Sequence, residues 1–135
     1  MSQVSIRAAL EVALAAISPA LETAWENHAF TPPAPSVPYQ RAFVLFAEPS
    51  DPEAGNAIHF ERGIFQINLM YPLQAGDSTA RARAEAIRTA FYRGRSMTSG
   101  GITAVVEKTP EAGQGTVDGD RWFIPVKIRF FAQIF

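Results

Sequence analysis

From residue 122 the chain alternates without a break. Trp122, Ile124, Val126, Ile128 and Phe130 fall on one side of an extended segment, and Lys127 and Arg129 on the other. Ala132 and Ile134 carry the apolar side on towards the C-terminus. A period of two over this length is the signature of a strand with one buried face. Such a strand is stable only inside a sheet whose apolar face is covered, so the rest of the chain has to supply both neighbours and cover.

Two segments have the spacing to supply cover. Ile6, Leu10, Ala13, Leu14 and Ile17 recur at helical intervals, starting near Ser2 or Ser5 and stopping before Ser18-Pro19. Glu11 interrupts the apolar run, which argues for an amphipathic helix over a secretion signal. Ala80, Ala84, Ile87 and Phe91 form a second stripe, opened by Asp77 or Ser78 as N-cap. Its alanines would let that helix lie close to a sheet. No apolar run reaches the ~18 residues of a membrane span, and the expected place of action is the cytoplasm.

The neighbours follow from shorter patterns. Leu21, Thr23 and Trp25 alternate as a short strand, and Pro32, Pro33, Pro35 and Pro38 make the next stretch an extended connector. Residues 39–47 read as a strand with two apolar faces, since Phe43 and Leu45 alternate with Val44 and Phe46. Residues 48–57 are a turn-rich loop. Residues 58–71 form a long strand whose apolar phase changes, and a bulge at Arg62-Gly63 would bring Ile58 and Phe60 onto the side of Phe65, Ile67, Leu69 and Tyr71. Residues 102–106 make a strand and residues 109–120 a polar, Gly-containing loop. The expected order is α-β-β-β-α-β-β: a single α+β domain over residues 1–135, with a mainly antiparallel sheet of about four to five strands and two helices packed on one face.

Little in the chain looks like chemistry. Net charge is −1 and there is no cysteine, so no global field recruits nucleic acid and no thiolate chemistry is available. His28 and His59 are the only histidines. His59 and Glu61 share one face of a strand, but zinc needs three or four ligands. Asp118 and Asp120 fit no calcium loop, and neither do Glu48, Asp51 and Glu53. There is no Gly-x-Ser-x-Gly, and Gly113-Gln114-Gly115 lacks the Lys-Ser/Thr of a phosphate loop. The expectation is no enzyme, no cofactor and no metal.

Two features point to contacts. Arg81, Arg83, Arg88, Arg93 and Arg95 place five arginines within fifteen residues. They fit phosphate contacts, a solvated face with Glu85 in an ion-pair ladder, or a charged subunit contact. Phe131 and Phe135 lie opposite the apolar side of the last strand, which suggests that another element or another chain meets them.

A further set of residues is ordered along the chain: Trp25, Glu26 and Asn27; Phe30 and Pro32-Pro33; Gly63, Phe65, Gln66 and Ile67; Tyr71-Pro72 and Gly76; Phe91; then Trp122, Pro125 and Val126. In order and spacing, over residues 21–131, this set resembles the tail-terminator (tail completion) proteins of long-tailed bacteriophages. The resemblance implies a phage or prophage structural protein that forms a ring, usually a hexamer. Such a ring caps the tail tube, stops its polymerisation and offers a head-tail joining surface. The implied partners are the chain itself, the tail tube protein and the head-tail connector protein, with no membrane and no sequence-specific nucleic acid. The implied location is the host cytoplasm during assembly, then the virion tail. A ring needs a heterologous interface that closes. Charge segregation nominates Glu48, Asp51 and Glu53 against Arg81, Arg88, Arg93 and Arg95 of a neighbour, and residues 109–120 are expected to order only on the tube. The competing class is a monomeric α+β binding domain for a small molecule or nucleic acid, supported by the basic segment and the sheet aromatics.

Overall fold

The computed structural model describes residues 2–51 and 58–134. Its centre is the pair β3 (His59–Pro72) and β8 (Arg121–Ile134), antiparallel from His59 opposite Ile134 to Pro72 opposite Arg121. Around it lie β1 (Thr23–Trp25), β2 (Tyr39–Phe46), β4 (Ser96–Ser99), β5 (Ile102–Val106), β6 (Glu111–Ala112) and β7 (Thr116–Asp118). The sheet runs β1-β2-β3-β8-β5-β4, with β6 and β7 also paired to β8. Helices α1 (Ser2–Ala15) and α2 (Ser78–Ala90) complete an α+β fold.

The sheet corrects three expectations. It has eight strands and is mixed, because β1 runs parallel to β2. The proline-rich connector carries the chain back to the end where β1 began, so β2 sets off in the same direction. Residues 109–120 are not a plain loop but hold β6 and β7 along β8, joined to it by a tight turn with Gly119 at φ 59°. Gly100 and Gly101, both at positive φ, likewise close a β4–β5 hairpin. Finally, there is no bulge at Arg62-Gly63: the pairing with both β2 and β8 is continuous. The phase change is real, and Phe60 therefore points to the other face, where its ring meets Phe131 at 6.3 Å.

One buried cluster joins the two helical stripes to the sheet. Phe65, Ile67 and Leu69 of β3 and Ile124, Val126 and Ile128 of β8 are fully buried against Ile6, Leu10 and Leu14 of α1 and Ala84, Ile87 and Phe91 of α2. Each such Leu, Ile or Phe side chain contributes about 1.5–3 kcal/mol relative to exposure. Both helices pack on this face. On β2 the even positions Ala42 and Val44 join the core, while Phe43 is half-buried and Leu45 is 48% exposed on the opposite face. The two-sided apolar pattern thus marks a face that neither helix covers.

Pro125 stands inside the long β8. Its nitrogen faces away from β3, towards the interruption between β6 and β7, and its carbonyl accepts from Gly113 N–H at 2.8 Å. The missing donor is therefore not needed there.

Candidate assembly surfaces

The arginine-rich segment is mostly engaged within the chain. Arg81 donates to Asp77 Oδ2 at 3.2 Å and to the Gly113 carbonyl at 3.0 Å. Arg88 donates to the Pro110 carbonyl and to Glu85 Oε1, each at 3.0 Å. Arg95 donates to the Ala90 carbonyl at 2.7 Å and lies over the Phe91 ring. Of the expected Glu85 ladder the Arg88–Glu85 rung is present, whereas Arg81 pairs with Asp77 in place of Glu85. Arg93 is exposed and, among the described residues, has no polar partner.

Arg83 departs furthest from a solvated helix face. It is 6% exposed, and its guanidinium donates to the Pro19 carbonyl at 2.6 Å and to Gln40 Oε1 at 3.5 Å, while its Nε finds no partner. Burial pulls this group below its ordinary value, opposed by the nearby Tyr71. The Tyr71 hydroxyl is pushed up by the same burial, with Arg83 opposing. A buried cation without a carboxylate is held by oriented carbonyl dipoles, a role that composition does not reveal.

Of the acidic candidates, Glu48 and Asp51 are exposed and Glu53 lies outside the described residues. Ser50 pairs with Phe60 and ties this loop to the start of β3. Among the described residues no ion pair joins Glu48 or Asp51 to Arg81, Arg88, Arg93 or Arg95. The two groups sit on opposite sides of the sheet's long axis. The acidic loop follows β2, whereas the segment after α2 adjoins β5, where Gly94 N–H donates to the Val106 carbonyl at 2.8 Å.

The uncovered face of the sheet is basic and partly apolar. Arg41, Lys127 and Arg129 are exposed on it with no carboxylate partner among the described residues, and Arg62 reaches Glu107 at 3.3 Å. Leu45, Ile64, Phe60 and Phe131 lie between them. Phe131, expected to meet something on this face, meets Phe60; Phe135 lies outside the described residues.

Sequence reasoning missed two further sites. Arg121, 3% exposed, donates to the carbonyls of Pro33, Ala34 and Val37 and stacks over the Tyr39 ring, clamping the proline-rich connector. The only signal was an arginine at the start of the most regular strand. Glu26 is the other. Beyond Trp25 the chain turns away, with Asn27 at φ 58°, and the Glu26 carboxylate accepts from Val44 N–H at 3.0 Å and from Arg7 at 2.6 Å. Partial burial raises the Glu26 carboxyl, but the Arg7 and Val44 hydrogen bonds and the Arg7 charge outweigh it and hold the group below its ordinary value.

Two clusters of polar side chains bear on chemistry. Asp77, Arg81, Trp122 and residues 112–115 line a space of about 400 Å³. There Trp122 Nε1 donates to Asp77 Oδ1 at 2.7 Å, and this bond, with that from Arg81, holds Asp77 below the ordinary carboxylate range. Asp77 thus joins Arg81 and Trp122 across the cleft. At the other end His59 Nε2 stands 3.3 Å from Glu61 Oε1, and no cluster of three metal-ligating side chains exists among the described residues. No described helix is long and apolar enough to cross a membrane.

The model of the family described as "Phage tail terminator protein" matches residues 5–130. One solved structure is 34% identical to the chain, covers 100% of it and 98% of its own length, and superposes with a TM-score of 0.80. No curated protein matches.

Proposed function

Since the chain belongs to the phage tail terminator family, and is thereby a structural tail assembly protein, we propose that it assembles into a closed ring on the end of the tail tube. There it halts tube growth and presents the joining surface for the head-tail connector. The family match over nearly the whole chain carries this reading. The fold adds physical support: one sheet face is packed by both helices, and the other presents Lys127 and Arg129, without a carboxylate partner among the described residues, beside partly exposed apolar side chains, a composition suited to a protein partner. In the cleft beside Trp122, Asp77 is bonded to both Arg81 and Trp122, which favours a packing role for these three side chains.

The test is tube growth. Purified tube protein polymerising with this chain should give shorter tubes, each with one ring of extra density at one end in electron micrographs. Unchanged tube lengths with bare ends would refute the reading.

A further inference from the structure

Strand β2 is paired on only part of its second side. Its odd positions bond to β3, as the Ala47 N–H to Arg62 carbonyl contact shows where the ladder ends. Its even positions point the other way. Gln40 N–H reaches the Glu22 carbonyl, and Thr23–Trp25 lie opposite residues 40–42. Past Ala42 no described strand follows. Val44 N–H is taken by the Glu26 side chain, and among the described residues the backbone of Phe46 has no strand opposite it on that side. A carboxylate thus stands where the carbonyl of an incoming strand would stand. Beside it Leu45 is 48% exposed, and further along β2 Arg41, which donates to the Tyr39 hydroxyl at 3.3 Å, carries a positive charge without a carboxylate partner among the described residues.

The same chain carries a matching element. Strand β7 pairs with β8 on one side only, and all of its residues are exposed, with Val117 at 64%. Its turn bears Asp118 and Asp120, both exposed and neither in an ion pair among the described residues. An extended edge, an exposed apolar side chain and two carboxylates outside any described ion pair complement an open edge, an exposed leucine and an arginine that no described carboxylate neutralises.

We propose that the open edge of β2 at residues 44–46 is a self-association surface that takes the β7 edge of a second copy of this chain. The contact joins two different patches, so it is heterologous and propagates from copy to copy. Glu26 satisfies Val44 in the lone subunit and blunts the edge against indiscriminate pairing. This deepens, and rests on, the ring reading above.

The test combines light scattering with hydrogen exchange over a wide concentration range. The wild-type chain should form a ring-sized species, and the amide of Phe46, which points to the open side, should become protected as it forms, together with that of Val44 as a backbone carbonyl replaces the Glu26 side chain. L45R and V117R should each raise the concentration needed for association by at least about tenfold, with unchanged circular dichroism, while T89R, on an exposed helix position, should not. An equimolar mixture of L45R and V117R should pair one to one and stop, because each keeps one intact edge. Rings from both variants, with the Phe46 amide exchanging as fast as in the lone subunit, would overturn this edge and leave the terminator reading standing. A wild-type chain that stays monomeric throughout would overturn self-pairing in solution, and the tube-length experiment would decide the terminator reading separately.

Discussion

Gly63 and Phe130 face each other across the β3–β8 ladder, and the Phe130 ring occupies the space a Gly63 side chain would need. A Cβ on Gly63 would stand 2.9 Å from Phe130 Cζ and 2.6 Å from the Leu45 carbonyl oxygen. Phe130 is fully buried and its ring meets Phe46 edge-on at 6.1 Å. The glycine is there for ring packing, not for an unusual φ. G63A should cost about 1–3 kcal/mol through overpacking, and F130A about 3–5 kcal/mol through the cavity it leaves. Urea unfolding of both and of the double variant measures their coupling. A G63A chain as stable as the wild type would mean that the ladder yields at this point.

Arg121 ties the proline-rich connector to the sheet by three carbonyl acceptors. R121M keeps the packing volume but removes a charge-assisted set of bonds, and each such bond contributes about 1.5–3 kcal/mol. The expected outcome is a local release. Thermolysin should cut near Phe30 or Val37 in R121M well before the core unfolds, and R121K, with one compact charge, should fall between. Equal cleavage of all three chains would show that the prolines alone hold the connector.

The ionisation of Glu26 gives stability a definite pH dependence. Its folded-state value lies below the ordinary 4.5, so its contribution is complete above that value and is lost as pH falls through the lower, folded one. The Arg7 and Glu26 side chains are 32% and 41% exposed, so solvent screening limits the pair to about 0.2–1 kcal/mol. E26Q should flatten this acid limb of the stability curve and leave the neutral plateau nearly intact, since an amide oxygen still accepts from Val44. A limb of unchanged steepness would assign the acid sensitivity to other carboxylates.

The parts of the fold readable from sequence were those in which side chains alternate or recur. The stripes at Ile6 to Ile17 and Ala80 to Phe91 and the alternation from Ile124 to Ala132 were found buried as expected, with Trp122 and Ile134 half-buried at its ends, because periodicity reports the direction of the core. Strands β4, β6 and β7 were not readable. Their pairing rests on backbone bonds and on turns at Gly100-Gly101 and Gly119, and polar residues such as Ser96, Thr116 and Asp118 carry no apolar period. The bulge at Arg62-Gly63 failed for a different reason. It assumed that every apolar residue faces one core, whereas Phe60 and Phe131 satisfy each other on the uncovered face. Charge was the least readable property. Arg81, Arg83, Arg88, Arg95 and Arg121 are spent on carbonyls far away or on the next turn, and only three-dimensional placement separates them from Arg93.

That separation sharpens the expected acidic–basic subunit contact to one residue. Arg88 and Arg95 hold Pro110 and Ala90 carbonyls, so reversing either should lower thermal stability as well as any association. Arg93 is exposed without a polar partner among the described residues and lies on the β5 side of the sheet, opposite the acidic loop that follows β2. We propose that it meets Glu48 and Asp51 of the next subunit. R93E should then weaken association with no change in Tm, high salt should reproduce the effect in the wild type, and E48K with D51K should restore association to R93E. If R93E assembles like the wild type at low salt, this contact does not exist and the ring closes through backbone and apolar contacts alone. A fall in Tm for R93E would instead reveal a structural role for a side chain that has no polar partner among the described residues.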